Sequence, residues 1–266
     1  MIFFFGKSRA VFYTGMAATA ALAVAVAFRR ADGPVWLFVL TVALVALVGS
    51  AVTSLAANVA AASCESAALA KLHIDLEPEE FIGIYEKPAR AQKHGSAQRT
   101  VGMASLADGL CAAGNWRAAL KALEEPGESV PQPKRAPLDA LVKRNRCRCL
   151  LWGRQHKEAR RALESFKALL DTLKTSNPKL AENFGADAKL YETWLALLEG
   201  KTADAAALEE TMKRTPTKLA KFDLCEMLIL NARNAHDTAA EERFSRMFAE
   251  EGGNLARAKE LRKRYA

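Results

Sequence analysis

Eight cations crowd nineteen residues in the middle of the chain: Lys143, Arg144, Arg146, Arg148, Arg154, Lys157, Arg160 and Arg161, with only Glu158 opposing them. On a helix Arg144 and Arg148 share one face, as do Lys157, Arg160 and Arg161. A guanidinium presents a planar fork that matches a carboxylate with two hydrogen bonds. The chemistry on offer is therefore anion recognition. Arg144, Asn145 and Arg148, with Lys189 and Trp194 further along, are the candidate contacts for an acidic or extended peptide. Two other readings of the same charges stay open: a solvated face neutralised by neighbouring acids, or a surface for phospholipid headgroups or RNA. Nucleic acid is disfavoured, because no aromatic residues interleave with the cations. From Glu65 onward the balance is also only 34 Lys and Arg against 29 Asp and Glu.

Residues that would support other chemistry are present but badly spaced. His73, His94, His156 and His236 are scattered, and none has a partner at metal-ligand spacing. The cysteines are Cys64, Cys111, Cys147, Cys149 and Cys225, an odd number, and Cys147-Arg148-Cys149 lacks the two-residue spacer of a redox or zinc pair. Four of the five fall in apolar helical patterns, which suits small buried side chains in a reducing compartment. Glu77, Glu79 and Glu80 surround Pro78 and read as charges at a helix start rather than as an acid–base pair. A Gly-rich phosphate loop, a nucleophile elbow and a His-Glu-x-x-His pair are all missing from the sequence. The expectation is a protein with no catalytic residues, no metal and no cofactor, and not an enzyme.

The elements that must position the cations divide sharply by composition. Of the 38 Lys and Arg and 30 Asp and Glu in 266 residues, only Lys7, Arg9, Arg29, Arg30 and Asp32 precede Glu65. Ala10–Phe28 and Val35–Ala57 are almost wholly apolar, and about 20 helical residues cross a bilayer core. The intervening Arg29-Arg30-Ala31-Asp32-Gly33-Pro34 carries turn chemistry, so the two spans are expected to form an antiparallel hairpin. Gly15, Thr19, Ala23 and Ala27 make one stripe of small residues, and Ala46, Ser50 and Ser54 another; such stripes let helices approach closely in lipid. Neither span holds an ionisable group, which makes the pair an anchor and not a conduit. Lys7, Arg9 and Lys71 flank one side against Arg29 and Arg30 on the other, so the C-terminal part is expected in the cytoplasm.

From Glu65 to Ala266 the pattern is helix after helix. Expected helices fall near 66–74, 78–93, 98–113, 115–125, 138–153, 156–174, 186–199, 203–214, 217–233, 237–250 and 254–265. Breaks run from Pro126 to Pro137 and from Lys174 to Pro178. In the clearest pair, Met103, Leu106, Ala107 and Leu110 precede Gly114 and Trp116, followed by Ala119 and Leu123. This spacing resembles a tetratricopeptide repeat (TPR), in which Gly closes the turn and small residues let two helices touch where large ones interlock. Three further units match less well: around Trp152-Gly153 with Ala159 and Leu163, around Gly200 with Ala205 and Leu208, and Leu224 to Phe244 with a turn lacking Gly. Turn glycines 114, 153 and 200 lie 39 and 47 residues apart, where a regular array repeats every 34.

The fold expected is all-α: a membrane anchor over 1–64 with spans near 10–28 and 35–57, then a TPR-like superhelix over 65–266. The resemblance implies a concave groove that holds peptide partners. The function expected is a bacterial-type inner-membrane scaffold that holds an unidentified protein or an acidic or extended peptide; the alternative is a binder of anionic lipid or nucleic acid. Replacing Arg144 and Arg148 by Glu is expected to abolish partner capture without unfolding the domain. The basic end, Arg257, Lys259, Arg262, Lys263 and Arg264, reads as a capping helix, or else as a membrane-docking one.

Overall fold

The computed structural model describes residues 6–29 and 33–265; Arg30, Ala31 and Asp32 of the expected turn lie outside them. Twelve helices and no strand are present among the described residues: α1 (Gly6–Arg29), α2 (Val35–His73), α3 (Pro78–Arg90), α4 (Ala97–Ala112), α5 (Trp116–Ala122), α6 (Gln132–Trp152), α7 (His156–Ser176), α8 (Pro178–Leu198), α9 (Ala205–Arg214), α10 (Lys218–Asn234), α11 (Thr238–Glu251) and α12 (Ala256–Tyr265). The chain divides into two compact units, Met1–Ala67 and Ala68–Ala266.

In the first unit, α1 and α2 are long and apolar enough to cross a membrane, with mean hydropathies of 1.9 and 2.5 over their most apolar windows. Large apolar side chains cover their outside: Leu44, Leu47 and Val52 are each more than half exposed. The two helices meet through small residues. Gly15 faces Thr53, so that a Cβ on Gly15 would stand 2.6 Å from the Thr53 methyl, and Gly49 faces Thr19 in the same way. The stripe on α1 is the expected one. On α2 the contact falls on Gly49 and Thr53, one residue before Ser50 and Ser54, and Ser50 instead donates to the Leu47 carbonyl. α2 also runs unbroken past the expected boundary at 64. No Gly or Pro occurs between Gly49 and Pro78, and the run is rich in Ala.

The helices of the second unit start where local chemistry supplies the missing acceptors. Ser96, Asn115, Asn177, Asp204, Thr217 and Asp237 each accept a hydrogen bond from the free backbone N–H three residues on. Pro78 and Pro178 open α3 and α8, where a missing N–H costs nothing. The same tolerance lets α6 begin at Gln132 with Pro133 in its first turn, six residues before the expected start at 138. The segment 81–85 lies within α3, with Phe81 and Tyr85 stacked and buried one turn apart.

Four helix pairs are closed by one turn geometry. In α4–α5, α6–α7, α8–α9 and α10–α11 the N–H of Asn115, Gln155, Lys201 and Asp237 bonds to the carbonyl of Leu110, Leu150, Ala196 and Ala232. The residue before each donor takes the left-handed conformation: Gly114, Arg154, Gly200 and His236. These residues are 40, 46 and 36 apart. Gly153 is therefore not the left-handed residue of its turn. It is required for a different reason, because a Cβ there would sit 2.6 Å from Trp116 Cδ2.

Amphipathic α7 buries Ala159, Leu163, Phe166, Leu170 and Leu173 along one stripe. α10 differs: twelve of its seventeen residues are buried, so it is surrounded rather than surface-lying. The far end of the unit returns to its beginning. Gly253 packs on Leu76, the Asn254 N–H bonds to the Leu76 carbonyl, and Lys259 pairs with Glu79. Leu76 itself is buried and held at φ 60, a conformation that a branched side chain adopts only under surrounding constraint.

Candidate functional site

Arg148 lies on the face of α6 that meets α4 and α10, and its side chain is only 5% exposed. Its Nε and Nη2 donate to the two oxygens of Asp223 on α10 at 2.7 and 2.9 Å, the full bidentate fork. Its Nη1 reaches Asp108 of α4 at 3.2 Å, and Trp152 Nε1 donates to the same Asp223 carboxylate at 2.9 Å. Burial on its own would lower the Arg148 pKa, but Asp223 and Asp108 reverse this and hold the guanidinium above its ordinary range. A second knot follows one turn on. Glu226, almost fully buried, accepts from Arg154 at 3.2 Å and from Arg257 of α12 at 2.9 Å. Asp223 and Glu226 stand three residues apart, so one face of α10 presents both.

These two knots form part of the wall of a cavity of about 530 Å³. Trp116, Trp152 and Trp194 line it together with Phe222 and Phe248, and Arg233, Arg264 and Glu260 complete its polar rim. Trp152 and Trp194 meet edge to face, with ring centroids 5.3 Å apart at 82°. The site is thus built by the α4–α5 turn, the C-terminal ends of α6 and α8, and α10, α11 and α12.

The residues picked from sequence are distributed as follows. Arg148 and Trp194 line this cavity. Asn145 is fully buried and donates to the Ala104 carbonyl at 3.0 Å, so it ties α6 to α4 instead of facing a ligand. Arg144 Nε lies 2.7 Å from Asp187 of α8, while Tyr191, Asp108 and Asp187 lift its pKa against the burial that would lower it. Lys189 is exposed on α8, apart from the others. This side of α6 packs on α4 and α8, and toward its C-terminal end it borders the cavity through Arg148, Leu151 and Trp152. Glu at position 148 would oppose Asp108 and Asp223 inside the core, so the double reversal of Arg144 and Arg148 tests folding and not capture.

The cation cluster is divided by direction. Arg144, Arg148 and Arg154 are bound inward, and Arg160 pairs with Glu199. Lys143, Arg146 and Arg161 border a groove of about 470 Å³ between α6 and α7, together with Leu120, Leu150 and Ala162; Lys143 donates to Ser165 there and Arg146 pairs with Glu125. Cys111, Cys147, Cys149 and Cys225 are free and buried, and burial pushes the Cys147 thiol up to about 12, so it stays protonated. Among the described residues no group of three or more His, Cys, Asp or Glu is placed to hold a metal ion.

Sequence reasoning missed Asp223, Glu226, Trp116, Trp152 and Arg257. The available signal was Asp223 and Glu226 interrupting the apolar run of α10, Phe222 to Leu230, at helical spacing. Carboxylates in so apolar a helix require partners, and the arginines of α6 were the richest supply. Compared with known proteins, the chain matches no protein-family model, no curated protein and no solved structure.

Proposed function

We propose that the chain is a membrane-anchored, non-catalytic scaffold whose helical unit holds an acidic segment of a partner protein. The observation that carries this reading is the outward part of the cation cluster. Lys143, Arg146 and Arg161 border a groove that also offers Leu120, Leu150 and Ala162, with Glu158 as its acid. Cations beside apolar side chains suit an acidic amphipathic segment: its carboxylates meet the rim and its apolar residues the lining. In this reading the four helix pairs are TPR-like, with the partner held at the groove between α6 and α7. α1 and α2 hold the unit at the inner membrane, with its cytoplasmic location following from Lys7, Arg9 and Lys71 against Arg29 and Arg30.

The test uses the full chain in nanodiscs and the anisotropy of a labelled peptide rich in Glu and Leu. Reversing Lys143, Arg146 and Arg161 to Glu weakens binding more than tenfold with no change in thermal midpoint. Binding that survives the triple reversal sinks the proposal. Equal binding of anionic vesicles or RNA, falling steeply with salt, transfers the groove to the alternative reading. α12 gives that alternative less support, since Arg257, Lys259 and Arg262 are engaged with Glu226, Glu79 and the Gly253 carbonyl. A reporter active only in the cytoplasm, fused after Ala266, tests the orientation separately.

A further inference from the structure

We propose that the central cavity binds a small organic monoanion with a ring-bearing apolar body, an aromatic carboxylic or sulfonic acid. At about 530 Å³ it falls within the size range of sites that enclose small molecules. Three of the four tryptophans of the chain line it, with two phenylalanines. Trp116 and Trp152 keep part of their rings exposed and can meet a flat apolar body, while Trp194, Phe222 and Phe248 are buried.

The polar part selects the charge. Asp223 accepts three hydrogen bonds, two from Arg148 and one from Trp152, and Glu226 accepts from Arg154 and Arg257. All four oxygens of these carboxylates already accept from a guanidinium, so arginine neutralises their charge and a cationic ligand gains little from them. Donors are in surplus. A guanidinium carries five N–H groups; Arg154 commits Nη2 to Glu226, and Arg257 commits Nε and Nη1 to Glu226 and Glu260. The other N–H groups of these two lining residues have no acceptor among the described residues, and a carboxylate or sulfonate supplies one. Counting Asp108 and Glu241, which pair from outside the wall, five arginines meet five acids. Recognition therefore comes from directed donors and not from a net positive field, which fits one negative charge and not a polyphosphate.

The experiment is isothermal titration of the full chain in nanodiscs with 1-naphthaleneacetate, its neutral amide and 1-naphthylethylamine, over a baseline of empty nanodiscs. The expected result is one site per chain, with the acid at least tenfold tighter than the amide and the amine not bound. One charge-assisted hydrogen bond is worth about that factor. Arg154→Gln, at a half-exposed side chain, reduces the preference for acid over amide, and Leu198→Trp, which fills the cavity, abolishes binding. Acid and amide binding alike, or acid binding indifferent to both variants, overturns the proposal. The same titration on the Lys143, Arg146 and Arg161 reversal gives unchanged binding, which separates this site from the groove on α6 and α7.

Discussion

Arg148, with its side chain 5% exposed, is held between two acids of its own chain. Its guanidinium grips carboxylates, as its type promises, but those carboxylates are Asp108 and Asp223, 40 and 75 residues away in the same chain. Removing one partner of a buried ionic group leaves an uncompensated charge and costs roughly 3–5 kcal/mol. Arg148→Leu strands both acids and is expected to cost about that much, whereas Asp108→Asn keeps the fork to Asp223 and costs far less. Hydrogen exchange of α6 and α10 in the full chain measures the difference; equal effects would mean that Asp223 is not the principal partner. Gly153 gives a smaller, sterically defined case. Gly153→Ala drives a methyl into the Trp116 ring and is expected to cost about 1–3 kcal/mol, with a shift in tryptophan emission. A lone sequence cannot separate an inward arginine from a solvated one, because the deciding partner is distant in the chain. It does show that the acids in the apolar run of α10 need such a partner.

At the scale of the element, helix starts were legible because capping is local. Asn115, Asn177 and Asp237 carry the signal within three residues of the bonds they make. Turn closure was only half legible. Two of the four left-handed positions hold glycine, but Arg154 and His236 occupy the others, and the fold compels them. Gly200 stands at φ +86 with nothing within 4 Å of a Cβ. Gly200→Ala is thus a backbone test alone, with an expected loss of about 1–2 kcal/mol. His236→Gly is expected to gain up to about 1 kcal/mol. Opposite shifts in thermal midpoint check the pair, and a gain in both would refute the shared turn. The α4–α5 pair adds a pH term. The Arg99 hydrogen bonds hold the Glu124 carboxyl below the usual glutamate range, against a smaller opposing push from burial. A depressed acid stabilises the fold above its unfolded value of about 4.3, and that stability is lost as pH falls through the folded value. Glu124→Gln is expected to flatten the midpoint of wild type between pH 5 and 3, in a titration at about 0.1 M salt.

At the scale of the whole molecule, composition alone separated the apolar N-terminal helices from the helical remainder. The uninterrupted course of α2 was not legible, since a helix needs no signal in order to continue. The 39 residues of α2 span about 58 Å at 1.5 Å each, more than a 30 Å hydrocarbon core requires. With apolar surface so extensive on α1 and α2, the full chain is expected to remain in the membrane pellet through alkaline carbonate extraction. Its release into the supernatant would remove the anchor reading. The cavity walled by α6, α8 and α10 was equally hidden, because its lining joins residues from Cys111 to Arg264 that are far apart in the chain.

The return of α12 to the α2–α3 turn sets an order of assembly during synthesis. Glu226 enters the growing chain with Arg154 already made, but Arg257, Asn254 and Lys259 emerge later than every other helix they touch. Until then Glu226 lacks its Arg257 partner and Leu76 lacks the contacts of Gly253 and Asn254. A ribosome that stalls or terminates before residue 254 therefore releases a chain with an open core, of the kind that quality-control proteases remove. The last helix is tied to the start of the second unit, through Asn254 to Leu76 and Glu77 and through Lys259 to Glu79.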